Sequence, residues 1–193
     1  MSDTDRDIIE QVRAGNTRRY AALIDRHKDR AFTLAVRLTG NKQESEELVQ
    51  DAFLRAFKNL DQFRGEAKFG TWFYRILYNL CMTKVTRRRE KPEALDREGG
   101  DELDNLLVDD DEPSIHERLE EEELQEMISS EIKALPEKYR TAITFFYVQE
   151  MSYEEMASVL NSPIGTVKTN LFRARSLLKK RVLGRMKGEM KVA

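Results

Sequence analysis

Apolar residues recur every three or four positions along most of this chain, and strict two-residue alternation is absent. The pattern predicts helices and no strands. A first helix spans 5–14 and is broken at Gly15-Asn16. A second runs over 17–38 and stops at Gly40-Asn41. A third covers 43–60, with Leu48, Val49, Ala52, Phe53, Ala56, Phe57 and Leu60 on a wide apolar face. A loop, 61–70, leads to a fourth helix over 71–89, whose buried stripe is Phe73, Ile76, Leu77 and Leu80. Helical periodicity resumes over 114–134 and 137–150.

The stretch from Ser152 to Lys180 completes the pattern with a helix-turn-helix. Ser152 and Glu155 have the spacing of a capping box, in which each side chain satisfies a backbone N–H of the other at a helix start. Asn161 tolerates the left-handed conformation that ends a helix. Ser162 and Pro163 suit the cap and first position of the next one. On that second helix Val167, Leu171, Ala174 and Leu178 share an apolar face. Lys168, Thr169, Phe172, Arg173, Ser176 and Lys179 share the opposite face. A ring among cations suits the thymine methyls, base edges and phosphates of a major groove. The same pattern also fits a basic helix in an ordinary bundle, with Phe172 covered by a neighbour.

Two other faces carry candidate chemistry. On the third helix, Gln50, Asp51, Leu54, Arg55 and Lys58 lie opposite the apolar half, with Leu54 at their centre. Such a leucine is either an ordinary exposed residue or the anchor of a protein interface. In the loop and fourth helix, Phe63, Phe69, Trp72, Phe73, Tyr74 and Tyr78 are interleaved with Arg64, Lys68 and Arg75, and Asn79 follows. Rings stack on unstacked bases, cations hold phosphates, and an amide reads a base edge. The alternative is that most of these aromatics are core, as Phe73 surely is.

Charge changes the picture more than composition does. The net charge of −2 conceals a division into three. Residues 1–91 hold 19 Lys and Arg against 13 Asp and Glu, 92–126 hold 2 against 16, and 127–193 hold 12 against 6. Two basic modules flank an acidic tether, which points to nucleic acid as the partner of the ends. Residues 90–112 read as linker, with an apolar island at Leu103, Leu106, Leu107 and Val108. Asp109-Asp110-Asp111 reads as a charge run of the tether, the alternative being a hard-cation site.

Several classes drop out. No run of about 18 apolar residues is present, so membrane insertion is not expected. The opening MSDTDRDIIE lacks the basic and apolar segments of a secretory signal. Cys81 is the single cysteine, which rules out an intrachain disulfide and fits a reducing cytoplasm. His27 and His116 stand apart, and neither a phosphate-binding glycine loop nor an HExxH motif occurs. No enzyme, metal or cofactor is expected.

Two long motifs now identify a family. ESEELVQDAFLRAFKNLDQFRGEAKFGTWFYRILYNLC resembles the second region of bacterial extracytoplasmic-function (group IV) sigma factors, and LPEKYRTAITFFYVQEMSYEEMASVLNSPIGTVKTNLFRARSLLKK resembles their fourth region. The resemblance implies an all-α fold of two small helical domains, 5–90 and 124–183, joined by an acidic flexible linker, 91–123. It implies a transcription initiation factor whose partners are RNA polymerase core, promoter DNA and an anti-sigma factor. The polymerase-binding surface would comprise Gln50, Asp51, Leu54, Arg55 and Lys58. The −10 element would be met by Phe63, Arg64, Lys68, Phe69, Tyr74, Arg75, Tyr78 and Asn79. The −35 element would be read by Thr166, Lys168, Thr169, Phe172, Arg173, Ser176 and Lys179. Many members of that family carry arginine where this chain has Lys168, which removes a two-pronged fork for guanine.

Overall fold

A computed structural model describes residues 4–90 and 115–189, with side chains for 4–90 and 123–186. The apolar island at Leu103–Val108, the run Asp109–Asp111 and most of the expected linker lie outside the described residues. Among the described residues every regular element is helical. They are α1 (Asp5–Arg13), α2 (Tyr20–Thr39), α3 (Lys42–Lys58), α4 (Phe69–Glu90), α5 (Ile115–Lys133), α6 (Glu137–Ile143), α7 (Tyr153–Leu160) and α8 (Ile164–Glu189). Short 3-10 turns precede α2 and follow α3.

The local chemistry of the ends follows the sequence in most places. Thr4 and Asp7 form a capping box at the start of α1, which sequence reasoning missed. Gly40 ends α2 at φ 70°, and its N–H donates to the Val36 carbonyl at 2.8 Å. Asn41 then caps α3, accepting from the Glu44 N–H at 2.9 Å. One expected helix, 137–150, divides. It is α-helical only to Ile143, widens into a π-type turn over Thr144–Val148, and ends at Glu150 with φ 53°. The run Thr144-Phe145-Phe146-Tyr147-Val148 is β-branched and aromatic, side chains that lose rotamer freedom against the preceding turn of an α-helix. α8 continues to Glu189.

The chain divides into two compact units. One draws on the described residues of Met1–Leu95 and on Thr144–Lys168; the other draws on those of Asp96–Ile143 and Thr169–Ala193. These units cut the chain differently from the two modules read in the sequence.

In the first unit α2, α3 and α4 pack on one another, and α7 lies against α4. The core is aromatic. Phe73 is wholly buried and stacks on Phe53, with ring centres 4.3 Å apart. Leu23, Leu34, Ala52, Leu77 and Cys81 are buried in the same unit. Burial pushes the Cys81 thiol up to about 12, so it is an inert packing residue. The Tyr20 hydroxyl donates to the Phe53 carbonyl at 2.8 Å inside this core. At Gly70 an added Cβ would come within 3.3 Å of the His27 ring, a close approach that favours glycine.

The second unit buries Leu135, Ala142 and Ile143 on one side of the chain and Leu171 and Ala174 of α8 on the other. Its ionic centre is Glu131, whose side chain is 11% exposed. Arg181 Nε donates to Glu131 Oε2 at 2.5 Å, and Arg185 Nη1 donates to Oε1 at 3.2 Å. The Arg181 hydrogen bond outweighs burial and holds the Glu131 carboxyl below the ordinary value of 4.5. A depressed folded pKa supplies stability that is fully present above the unfolded value and is lost as pH falls through the folded one. Thermal unfolding followed as pH is lowered below 4.5 should therefore show a steeper loss for the native chain than for Glu131→Gln. Parallel curves for the two proteins would show that this cluster adds nothing to stability.

Candidate nucleic-acid interface

Three surfaces gather the residues singled out in the sequence. On α3, Gln50, Leu54, Arg55 and Lys58 are exposed and Asp51 is half-buried. Leu54 is 59% exposed, a large apolar side chain on a polar face. Arg55 clamps the Asp51 carboxylate one turn earlier, with Nη2 at 2.9 Å and Nε 3.1 Å from both oxygens. Phe57, expected in the core, is 38% exposed, with its ring 4.9 Å from that of Tyr20. It sits three residues after Leu54 and so adjoins the same face. The expected apolar arc was too wide: the interior receives Val49, Ala52, Phe53 and Ala56, and Phe57 falls at its edge.

The loop before α4 is held from behind. Arg13 Nη2 donates to the Leu60 carbonyl at 2.6 Å and also to that of Phe63. Nothing in the local pattern marked Arg13, because its contacts lie about fifty residues away along the chain. Arg64 is exposed, and Gly65 turns the chain at φ 75°. Phe63 is half-buried against Trp72 at 5.3 Å and Phe69 at 6.0 Å. Lys68 is exposed and forms an ion pair with Glu155 at 3.1 Å.

Two of the expected site rings are core residues instead. Phe69 is 2% exposed and Tyr74 is 5% exposed. Phe69 packs on His27 and Phe73. Tyr74 abuts Phe73 and the edge of His27, and burial pushes its phenol up to about 12. Neither presents a face on which a base could stack. Arg75 and Asn79 remain exposed, and Tyr78 is half-buried with its ring 5.8 Å from Phe145. Asn79 lies one turn beyond Arg75 on the same side of α4.

The third surface is on α8. The Ser152–Glu155 capping box forms as expected, and Asn161 ends α7 at φ 47°. Ser162 departs from its expected role, since its hydroxyl donates back to the Leu160 carbonyl. The Pro163 carbonyl accepts from the Thr166 and Val167 N–H groups at the helix start. Val167, Leu171 and Ala174 are buried. Thr166, Lys168, Thr169, Phe172, Arg173, Ser176 and Lys179 are all exposed. Phe172 is 71% exposed, the highest value among the exposed large apolar side chains. No described residue covers it, as the alternative of an ordinary helical bundle would require. The Lys168 ammonium stands 5.5 Å above the ring centre of Tyr153.

Among the described residues no group of acidic, histidine or cysteine side chains is arranged to hold a metal ion. No described helix is long and apolar enough to cross a membrane.

Comparison with known proteins identifies the family. The Sigma-70 region 2 family matches residues 23–91, and the Sigma-70, region 4 family matches residues 125–178. The chain is 38% identical over 185 residues to the ECF RNA polymerase sigma factor SigW of Bacillus subtilis (strain 168), covering 90% of this chain and 94% of that protein. It is 31% identical over 193 residues to the ECF RNA polymerase sigma-E factor of Escherichia coli (strain K12), covering 93% and 94%. Among solved structures it is similar to CnrH in complex with the cytosolic domain of CnrY, with 25% identity, a TM-score of 0.66 and coverage of 92% and 96%. The sigma factor RpoE of Bartonella quintana, solved with the anti-sigma factor NepR, shares the fold at a TM-score of 0.64 and 22% identity, over 84% of this chain and 96% of that one. The chain belongs to the ECF RNA polymerase sigma factors. Proteins of this family direct promoter-specific initiation of transcription, and they are regulators rather than catalysts.

Proposed function

We propose that this sigma factor divides promoter recognition between two modules, 5–90 and 124–183, joined by an acidic linker over 91–123. The first module binds RNA polymerase core through Gln50, Asp51, Leu54, Arg55 and Lys58. Phe63, Arg64, Lys68, Arg75, Tyr78 and Asn79 of the same module receive the opened −10 strand. Phe69 and Tyr74 support that surface from the core and do not touch bases. The ion pair of Lys68 with Glu155 must open before Lys68 reaches a phosphate. In the second module Thr166, Lys168, Thr169, Phe172, Arg173, Ser176 and Lys179 read the −35 duplex from the major groove.

The observation that carries this division is the exposure of Phe172 among cations while Val167, Leu171 and Ala174 are buried on the opposite side of α8. A ring held in water among cations offers an apolar face for thymine methyls and charges for the neighbouring phosphates. The decisive experiment is run-off transcription with purified core polymerase on a promoter library. Promoter-dependent transcripts that require the added chain support the proposal. Duplex binding without any transcript would instead fit a helix-turn-helix protein that acts without polymerase.

An anti-sigma factor is a further proposed partner, and the site of action is the cytoplasm, where polymerase and promoter meet. CnrH offers a parallel, since it is solved in complex with a cytosolic domain.

Leu54 gives this scheme a direct test. Leu54→Asp places a charge at the centre of the proposed polymerase face while leaving the α3 core untouched. Co-purification with core polymerase should fall at least tenfold, a cost of about 1.4 kcal/mol or more, as for an anchor residue. Helicity and thermal stability should be unchanged. Undiminished co-purification would remove α3 from the interface.

A further inference from the structure

We propose that Tyr153 is a positioning residue for base recognition: its ring holds the Lys168 ammonium and so selects the base edge that Lys168 reads. The inference rests on the assignment of α8 as the duplex-reading helix.

Lysine is a poor reader by itself. It is a compact point charge on a four-carbon stem, without the planar fork by which arginine grips guanine O6 and N7. An exposed lysine wanders among rotamers and meets phosphates and bases alike. Specific readout requires that its direction be fixed. Lys168 is exposed and forms no ion pair among the described residues. What it does have is a ring beneath it. The ammonium lies 5.5 Å from the Tyr153 centroid, inside the range at which the negative face of an aromatic ring attracts a cation.

The ring is itself fixed. Tyr153 is the first residue of α7, directly after the Ser152 cap, so the capping box sets its backbone. Its side chain is half-buried and stacks on Phe146, with centroids 5.5 Å apart and planes at 27°. Phe146 in turn meets the edge of Tyr147 at 5.0 Å. Two rings of the π-type turn, Phe146 directly and Tyr147 behind it, thus brace the α7 ring that carries the cation. A cation–ring contact is not consumed by a neutralising carboxylate, so the charge stays available to an acceptor on DNA. The ligand class is a base edge rich in acceptors, guanine O6 and N7 foremost.

The test uses holoenzyme assembled from the full chain and a −35 base-substitution series, titrated at several salt concentrations. Lys168→Ala identifies the base that Lys168 reads. Tyr153→Leu should lower discrimination at that same base by about two- to fivefold, as expected for an exposed cation–ring contact. Tyr153→Phe should retain it, because the ring face is kept. In the Lys168→Ala background, Tyr153→Leu should change discrimination no further. Should Tyr153→Leu lower the melting temperature, Tyr153→Met fills the gap without a ring and replaces it in the same series.

If Lys168→Ala shifts the preference and loss of the ring does not, the inference fails while the recognition assignment stands. A uniform loss at every sequence after ring removal makes Tyr153 a packing residue only. Loss in Tyr153→Phe equal to that in Tyr153→Leu assigns the effect to the hydroxyl and overturns the ring contact. If Lys168→Ala changes no base preference, Lys168 is not a reader and both statements fall.

Discussion

Phe73→Ala should lower the unfolding free energy by about 3–5 kcal/mol, the usual range for removing a fully enclosed phenyl ring. Phe73 has no accessible surface. It stacks on Phe53 at 4.3 Å and meets Phe69 at 6.0 Å and Tyr74 at 5.5 Å. Rings that face one another in this way cannot rotate into the space left by one of them without losing contacts elsewhere. The loss should appear in urea denaturation as a lower midpoint with an unchanged slope. It should also disorder the Phe63–Phe69–Trp72 cluster, since Phe69 links that cluster to Phe73. A loss below about 1 kcal/mol would show that the aromatic cage collapses onto the cavity.

The helical class, the capping box at Ser152 and the turn at Asn161 were legible because each depends on residues within one turn of the chain. The face of α8 was legible for the same reason: only one side of that helix carries Val167, Leu171 and Ala174. The misjudged positions depend on tertiary packing. α4 is in contact with α2, α3 and α7, so burial extends around most of its circumference. A wheel divides a helix into one inner and one outer half and therefore left Tyr74 outside. The periodicity starts the helix at Thr71, two residues late, and so leaves Phe69 in the loop. Phe57 shows the opposite error, in which an apolar residue was drawn into the core by its type and neighbours. At the rim of α3 its ring meets that of Tyr20 at 4.9 Å and stays partly in solvent. Arg13 could not have been foreseen at all, since its carbonyl partners at Leu60 and Phe63 are defined only by the fold.

Phe172→Ala should give the reverse result to Phe73→Ala: unchanged stability and a loss of sequence discrimination. The ring is 71% exposed, so its removal opens no cavity and forfeits little packing. On duplex DNA the same ring would lie in the middle of the recognition helix, where side chains reach base edges rather than the backbone. Apolar contact with a thymine methyl should cost about 1–3 kcal/mol when lost, and only at the base concerned. Lys179 lies two turns further along α8 and is exposed. Lys179→Ala should weaken all sequences alike and reduce the salt dependence by about one unit of slope, the behaviour of a phosphate contact. A base-substitution series in holoenzyme, titrated at several salt concentrations, separates the two effects. Localised loss for Phe172→Ala beside uniform loss for Lys179→Ala would place the ring on bases and the cation on the backbone. Uniform loss from both variants would mean that Phe172 contributes only general contact, and the sequence code of α8 would then fall to Lys168, Thr169, Arg173 and Ser176.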